Sequence, residues 1–219
     1  MLEQKAARRA FFLSRVKRGP AAGSDYRALM NAERGPLPME LSSILSGLSY
    51  VIVGGVATRM YQPERFTKDV DVLVEATGLP VLRERLHGAG GTRTGPLALP
   101  DSLLGLEGEV WLLPDVGEID ALWSAQSWVH KAVRSAVRDA QGLSIVGLPH
   151  LIAMKLDASR SVDQGDLSRM LGFADATTLD AVRLVVAELL PNVRQDLESY
   201  IEIGRLEIGD HGSPDPHRP

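Results

Sequence analysis

Two glycines and two aspartates have the types and spacing to do chemistry. Gly54-Gly55 closes the β-branched run Ser49-Tyr50-Val51-Ile52-Val53, and Asp69-Val70-Asp71 opens an alternating one. Glycine lets a backbone bend sharply and lets a phosphate approach its amides. A helix starting at the bend adds N-terminal amides that favour an anion. The alternation Asp-Val-Asp-Val-Leu-Val over 69–74 has the period of a strand. It puts both carboxylates on one face, about 7 Å apart, and the valines on the other. Neighbouring carboxylates repel unless a cation lies between them. Their hard oxygens suit Mg²⁺, which takes one or two carboxylates together with substrate phosphates. A two-metal centre wants a third carboxylate. Asp120, in Glu118-Ile119-Asp120-Ala121-Leu122, is the first choice, and Glu118 on the same strand face is the reserve.

The elements that must position these groups read as follows. Leu41, Ile44, Leu45 and Leu48 form one helical stripe before the first strand. A helix over 56–61 follows the glycines and ends at Pro63. Leu79, Leu82 and Leu86 predict a helix over 79–88. Residues 88–108 are glycine-rich and give no clear element. Strands at 110–113 and 118–122 flank Pro114-Asp115-Val116-Gly117, a hairpin signal. Leu143–Val146 reads as a short strand. From Leu148-Pro149 onward the pattern is helical: one helix through Leu156, one over 163–171, one starting at Thr177 with a capping-box-like Asp180, and a last one from Pro191 to about Leu206.

The chain has 219 residues, 44% hydrophobic and 24% charged, with a mean hydropathy of −0.03. This is globular composition and excludes a rod or wholesale disorder. Cysteine is absent, which excludes disulfides, zinc–thiolate sites and thiol nucleophiles. No apolar run approaches the ~18 residues of a membrane span, so a cytoplasmic protein without a membrane partner is expected. The net charge of −4 gives no broad nucleic-acid face. Residues 1–18, however, carry Lys5, Arg8, Arg9, Arg15, Lys17 and Arg18 against Glu3 alone. Such an arm is either a solvated helix face or a contact for RNA or DNA phosphates.

The Gly-Gly turn, Arg65-Phe66-Thr67-Lys68-Asp69-Val70-Asp71 and a later strand aspartate resemble the nucleotidyltransferase superfamily, the polymerase-β-like fold. The pattern is most similar to the minimal nucleotidyltransferases and the AbiEii-type toxins of toxin–antitoxin systems. A second element resembles the same group: Leu148 to Leu156 with Lys155, followed by Arg160, Asp163 and Asp166. Together they span roughly residues 40 to 170. The second turn position is Gly55, where many members carry Ser, and the region after 175 matches no subgroup.

The resemblance implies an α+β fold: a small mixed β-sheet nucleotidyltransferase core packed with helices, then a C-terminal helical region. The expected layout is a basic helical arm at 1–35, the core at 36–147, the helical region at 148–207 and a disordered tail at 208–219. It implies transfer of an NMP group from an NTP to a hydroxyl of tRNA, protein or a small molecule. Asp69, Asp71 and Asp120 would hold two Mg²⁺ ions. Gly54, Gly55, Arg65, Thr67, Lys68 and Lys155 would meet the nucleotide. A cognate toxin or antitoxin is an implied partner, and the alternative is a catalytically silent nucleotide-binding or antitoxin-type module. Lys155 borders the inward stripe of its helix. Asp163 and Asp166 are expected to pair with Arg160 and Arg169 or to face solvent. His150 is expected to be structural, and Trp111, Trp123 and Trp128 to be core residues.

Overall fold

Tyr50–Val53 is buried along its whole length, as a β-branched run between two covered sheet faces must be. In the computed structural model, which describes residues 39–62, 67, 69–99, 102–114, 116–139 and 142–212, it is the first strand of a seven-stranded sheet. The basic arm, Arg65, Lys68 and residues 213–219 lie outside the described residues.

The described chain runs α1 (Met39–Leu45), β1 (Tyr50–Val53), α2 (Gly54–Thr58), β2 (Val70–Glu75), α3 (Leu79–Gly88), β3 (Thr92–Pro96), β4 (Glu107–Leu113) and β5 (Gly117–Ser124). It continues through α4 (Trp128–Arg134), β6 (Val137–Arg138), β7 (Ser144–Ile145), α5 (Leu148–Ala158), α6 (Ser161–Phe173), α7 (Ala176–Leu189) and α8 (Arg194–Gly212), with short 3-10 turns before α3 and α8. The strand order is β3-β4-β5-β2-β1-β7-β6. β2 pairs antiparallel with β1 and parallel with β5, so the sheet is mixed and the fold is α+β. The β4–β5 hairpin forms across the expected turn. The described residues from Met39 to Gly212 belong to one compact unit, in which sheet and helices share a core.

The helix over 79–88 forms as α3, with Leu79, Leu82 and Leu86 buried. Other boundaries differ for identifiable reasons. α2 starts at the glycines rather than at Val56, because β1 passes straight into it through an extended Val53. α7 starts at Ala176: Asp175, not Thr177, is its cap and accepts the Thr178 N–H at 2.7 Å. Asp180 pairs with Arg183 instead of closing a capping box. α8 runs on to Gly212, past the expected end near Leu206.

α5 packs on α6 and α7, and α6 packs on α8. The α6–α8 crossing is backbone on backbone. A β-carbon on Gly204 would lie 1.9 Å from the Ser168 carbonyl oxygen, and one on Gly172 would lie 2.5 Å from that of Gly204. His150 is buried and stacks on Trp128 with ring centroids 6.4 Å apart, in the structural role expected. Trp111 and Trp128 are core residues, while Trp123 lies half-buried under the Arg83 guanidinium. No described helix is long and apolar enough to cross a membrane.

Candidate functional site

The parallel pairing of β2 with β5 puts Asp71 directly beside Asp120, and the antiparallel pairing of β1 with β2 puts Asp71 beside Val53, the residue before the glycines. Side-by-side residues on adjacent strands share a face. Two carboxylates distant in sequence are therefore brought together by register alone. Asp69 precedes β2 and completes the group. One carboxylate oxygen from each of Asp69, Asp71 and Asp120 lies within 4.8 Å of the others. Asp120 is buried, whereas Asp69 and Asp71 are half-buried. Glu118, the reserve, is exposed and is not part of the group.

The glycines explain how closely this group is held. Gly54 has φ +60°, a conformation that costs other residues energy. A β-carbon there would lie 1.9 Å from Asp71 Oδ2. A β-carbon on Gly55 would lie 2.7 Å from both Cβ and Oγ1 of Thr67. The Gly55 N–H is bonded to the Asp71 carboxylate. Both glycines are thus required by side chains of the site itself. Thr58 Oγ1 donates to the Gly54 carbonyl at 2.8 Å and steadies the bend. Thr67 Oγ1 donates to Asp69 Oδ1 in a short bond.

Burial and the neighbouring Asp69 charge raise the Asp71 pKa to about 6, against the pull of Arg160, the Gly55 amide and Lys155. A carboxylate so placed gains from any cation that enters. The donor set is three hard oxygens on a fixed frame, which fits Mg²⁺.

Beside the carboxylates lies a second charged cluster. Lys155 is 4% exposed, as its place on the inward stripe of α5 requires. Its Nζ donates to Asp163 Oδ1 at 3.0 Å and to Asp166 Oδ2 at 2.7 Å. Arg160 donates to Asp163 Oδ2 at 2.7 Å, the pairing expected from sequence. Solvent-facing positions for Asp163 and Asp166 are excluded, since they are 0% and 5% exposed. The buried side chain of Gln62 donates Nε2 to Asp166 Oδ1 at 2.8 Å, joining the segment after α2 to α6. The half-exposed Arg160 charge acts on both Asp71 and Asp69.

Sequence reasoning singled out the three carboxylates, which the fold brings together, and placed Lys155 at the nucleotide, whereas its Nζ is bonded to Asp163 and Asp166. It did not find Gln62, which belongs to no motif, or the embrace of Lys155 by both aspartates. The Lys155-x7-Asp163-x2-Asp166 spacing across a helix–helix turn was the available signal. Arg65 and Lys68 lie outside the described residues.

No family model and no curated protein matches the chain. Among solved structures it is similar to a solution structure of the antibiotic-resistance factor ANT(2'')-Ia, at 16% identity and TM-score 0.42, over 79% of this chain and 93% of that one. The crystal structure of ANT(2'')-Ia in complex with adenylyl-2''-tobramycin gives 16% identity and TM-score 0.42, over 78% and 95%. An antigenic nucleotidyltransferase-like protein from Paracoccidioides brasiliensis gives 19% identity and TM-score 0.40, over 74% and 89%.

Proposed function

We propose that the protein is a nucleotidyltransferase that moves an NMP group from an NTP to an acceptor hydroxyl. The observation that carries this reading is the meeting of Asp69, Asp71 and Asp120 beside the Gly54-Gly55 bend. The motif resemblance over residues 40 to 170 supports it.

In this reading Asp69, Asp71 and Asp120 would hold two Mg²⁺ ions, which would supply Lewis-acid polarisation of the α-phosphate and offset the charge of the triphosphate. The acceptor oxygen forms a bond to the α-phosphorus, the bond from that phosphorus to the bridging oxygen breaks, and pyrophosphate leaves. Asp120, the most buried of the three, takes the proton of the acceptor hydroxyl. Gly54 and Gly55 keep the approach to the carboxylates open. Lys155 and Arg160 supply positive charge beside the carboxylates, and the motif residues Arg65 and Lys68 are assigned to the nucleotide by the resemblance. Lys155 has two of its three donors committed to Asp163 and Asp166, so it acts mainly through its field. The acceptor belongs to an RNA, a protein or a small molecule. The sequence resemblance supports a toxin–antitoxin setting, and the absence of cysteine and of a membrane-length apolar run supports a cytoplasmic location.

The test incubates the protein with each labelled NTP, Mg²⁺ and cell RNA or lysate, beside an Asp69→Ala, Asp71→Ala double variant. Label transfer by the parent and none by the variant is expected. Equal labelling in both overturns the assignment.

A further inference from the structure

The Thr67 side chain and backbone are held at three points. Its hydroxyl donates to Asp69 Oδ1. Its Cβ, Oγ1 and Cγ2 fill the space where a side chain on Gly55 would stand, at 2.7, 2.7 and 3.0 Å from that β-carbon position. Its carbonyl accepts from Arg59 Nη2 at 3.2 Å, and Arg59 is the residue that ends α2. The first residues of α2 therefore support the Thr67 side chain, and the residue at its end holds the Thr67 backbone.

The direction of the hydroxyl bond is fixed by chemistry. An ionised carboxylate only accepts, so the proton comes from Thr67. Asp69 lies outside β2 and lacks the ladder bonds that orient Asp71 and Asp120. A carboxylate just before a strand has rotamers to choose from, and the Thr67 hydroxyl selects one. Ligating carboxylates are commonly fixed by such outer partners, whose loss costs ~10–100-fold in metal affinity.

We infer that Thr67 is a positioning residue, not a nucleotide contact: braced on Gly55 and anchored by Arg59, it uses its hydroxyl to hold Asp69 in the orientation that receives a divalent cation. This rests on the metal-site reading above, and it assigns Gly55 a purpose distinct from phosphate binding. With Oδ1 accepting from Thr67, Asp69 offers the cation its remaining lone pairs. The motif threonine and the second glycine thus form one device. A larger residue at 55 would expel Thr67 and release Asp69.

The experiment measures Mn²⁺ binding to the full chain, without nucleotide, by electron paramagnetic resonance titration. The variants are Thr67→Val, which keeps the shape and loses the hydroxyl, and Thr67→Ser, which keeps the hydroxyl. Thr67→Val is expected to bind Mn²⁺ ~10–100-fold more weakly, and Thr67→Ser to stay close to the parent. Where transfer activity is measured, Thr67→Val should lower kcat at saturating metal and leave the NTP KM unchanged. Parent-like Mn²⁺ affinity in Thr67→Val, an equal loss in Thr67→Ser, or a rise confined to the NTP KM overturns the inference. If Thr67→Val fails to fold, Thr67→Ala removes the same hydroxyl without added strain, and parent-like Mn²⁺ affinity there overturns it equally. A parent chain that binds no Mn²⁺, unchanged by Asp69→Asn, overturns the metal site itself. A parent that binds while Thr67→Val binds equally overturns only the role of Thr67.

Discussion

Asp71 Oδ2 occupies the place where any side chain on Gly54 would begin, 1.9 Å from the position of that β-carbon. The contact ties the bend after β1 to the carboxylate on β2. Gly54→Ala should therefore do two kinds of harm. The left-handed backbone costs a non-glycine residue about 1–2 kcal/mol, and the methyl group must drive Asp71 out of line. Thermal melting should show the first effect, and calorimetric Mn²⁺ titration a loss of affinity larger than the change in stability explains.

Asp71 also gives the metal-free protein a definite pH dependence. Burial, joined by the Asp69 charge, raises its pKa from 3.8 to about 6. A carboxyl group whose folded pKa is raised binds its proton more tightly in the folded state. Its contribution to stability is complete below pH ~4 and is lost as pH rises through about 6. Asp71→Asn should remove that slope. At pH 8 without metal the variant should melt higher than the parent, yet Mg²⁺ should raise the melting temperature of the parent alone. A variant less stable than the parent at pH 8 contradicts the electrostatic account.

Much of this site was legible in the sequence because it depends on period-two alternation. That pattern fixed the faces of Asp71 and Asp120, while their pairing across α3, β3 and β4 came from the sheet order. The fold was legible wherever a face was apolar, as in α3 and β1. β3 was missed because Thr92–Pro96 is an edge strand whose residues are largely exposed, so it has no buried face to alternate with. α4 was missed because seven residues with His130 and Lys131 among the apolar ones carry too little periodicity. Lys155 with Asp163 and Asp166 was legible only as charges on two helices. Their burial follows from how α5 and α6 fold onto one another, which no local pattern encodes.

Lys155→Met offers a sharp test of that buried cluster. Removing the ammonium leaves Asp163 and Asp166 without their shared cation in a place water hardly reaches. Breaking a buried pair in this way costs about 3–5 kcal/mol, measurable by urea unfolding. Adding Asp163→Asn and Asp166→Asn should recover a large part of the loss, because the uncompensated charge is then gone. Failure to recover would show that the lysine stem, not the charge, holds α5 to α6.

Glu109 serves as the contrasting case. It alternates with Val110, the partner of Asp120, and so points to the opposite sheet face. There it is buried and accepts from Arg83 at 2.7 and 2.8 Å, Arg93 at 2.8 Å and Trp111 Nε1 at 3.0 Å. Burial pushes its pKa upward, but these bonds win and hold it near 2, from an ordinary 4.5. Its contribution is present above pH ~4.5 and is lost as pH falls towards 2. Glu109→Gln should flatten the acid limb of the stability curve and leave Mn²⁺ affinity untouched.

The glycine-to-glycine crossing of α6 and α8 has one further consequence. Where two helices meet through side chains, rotamer changes let one slide on the other. Here the main chains touch, with no cushion to deform. α6 and α8 are therefore a single lever, and a tilt of α6, which carries Asp163 and Asp166, must swing α8 with it. A probe fixed on α8 would report any tilt of α6.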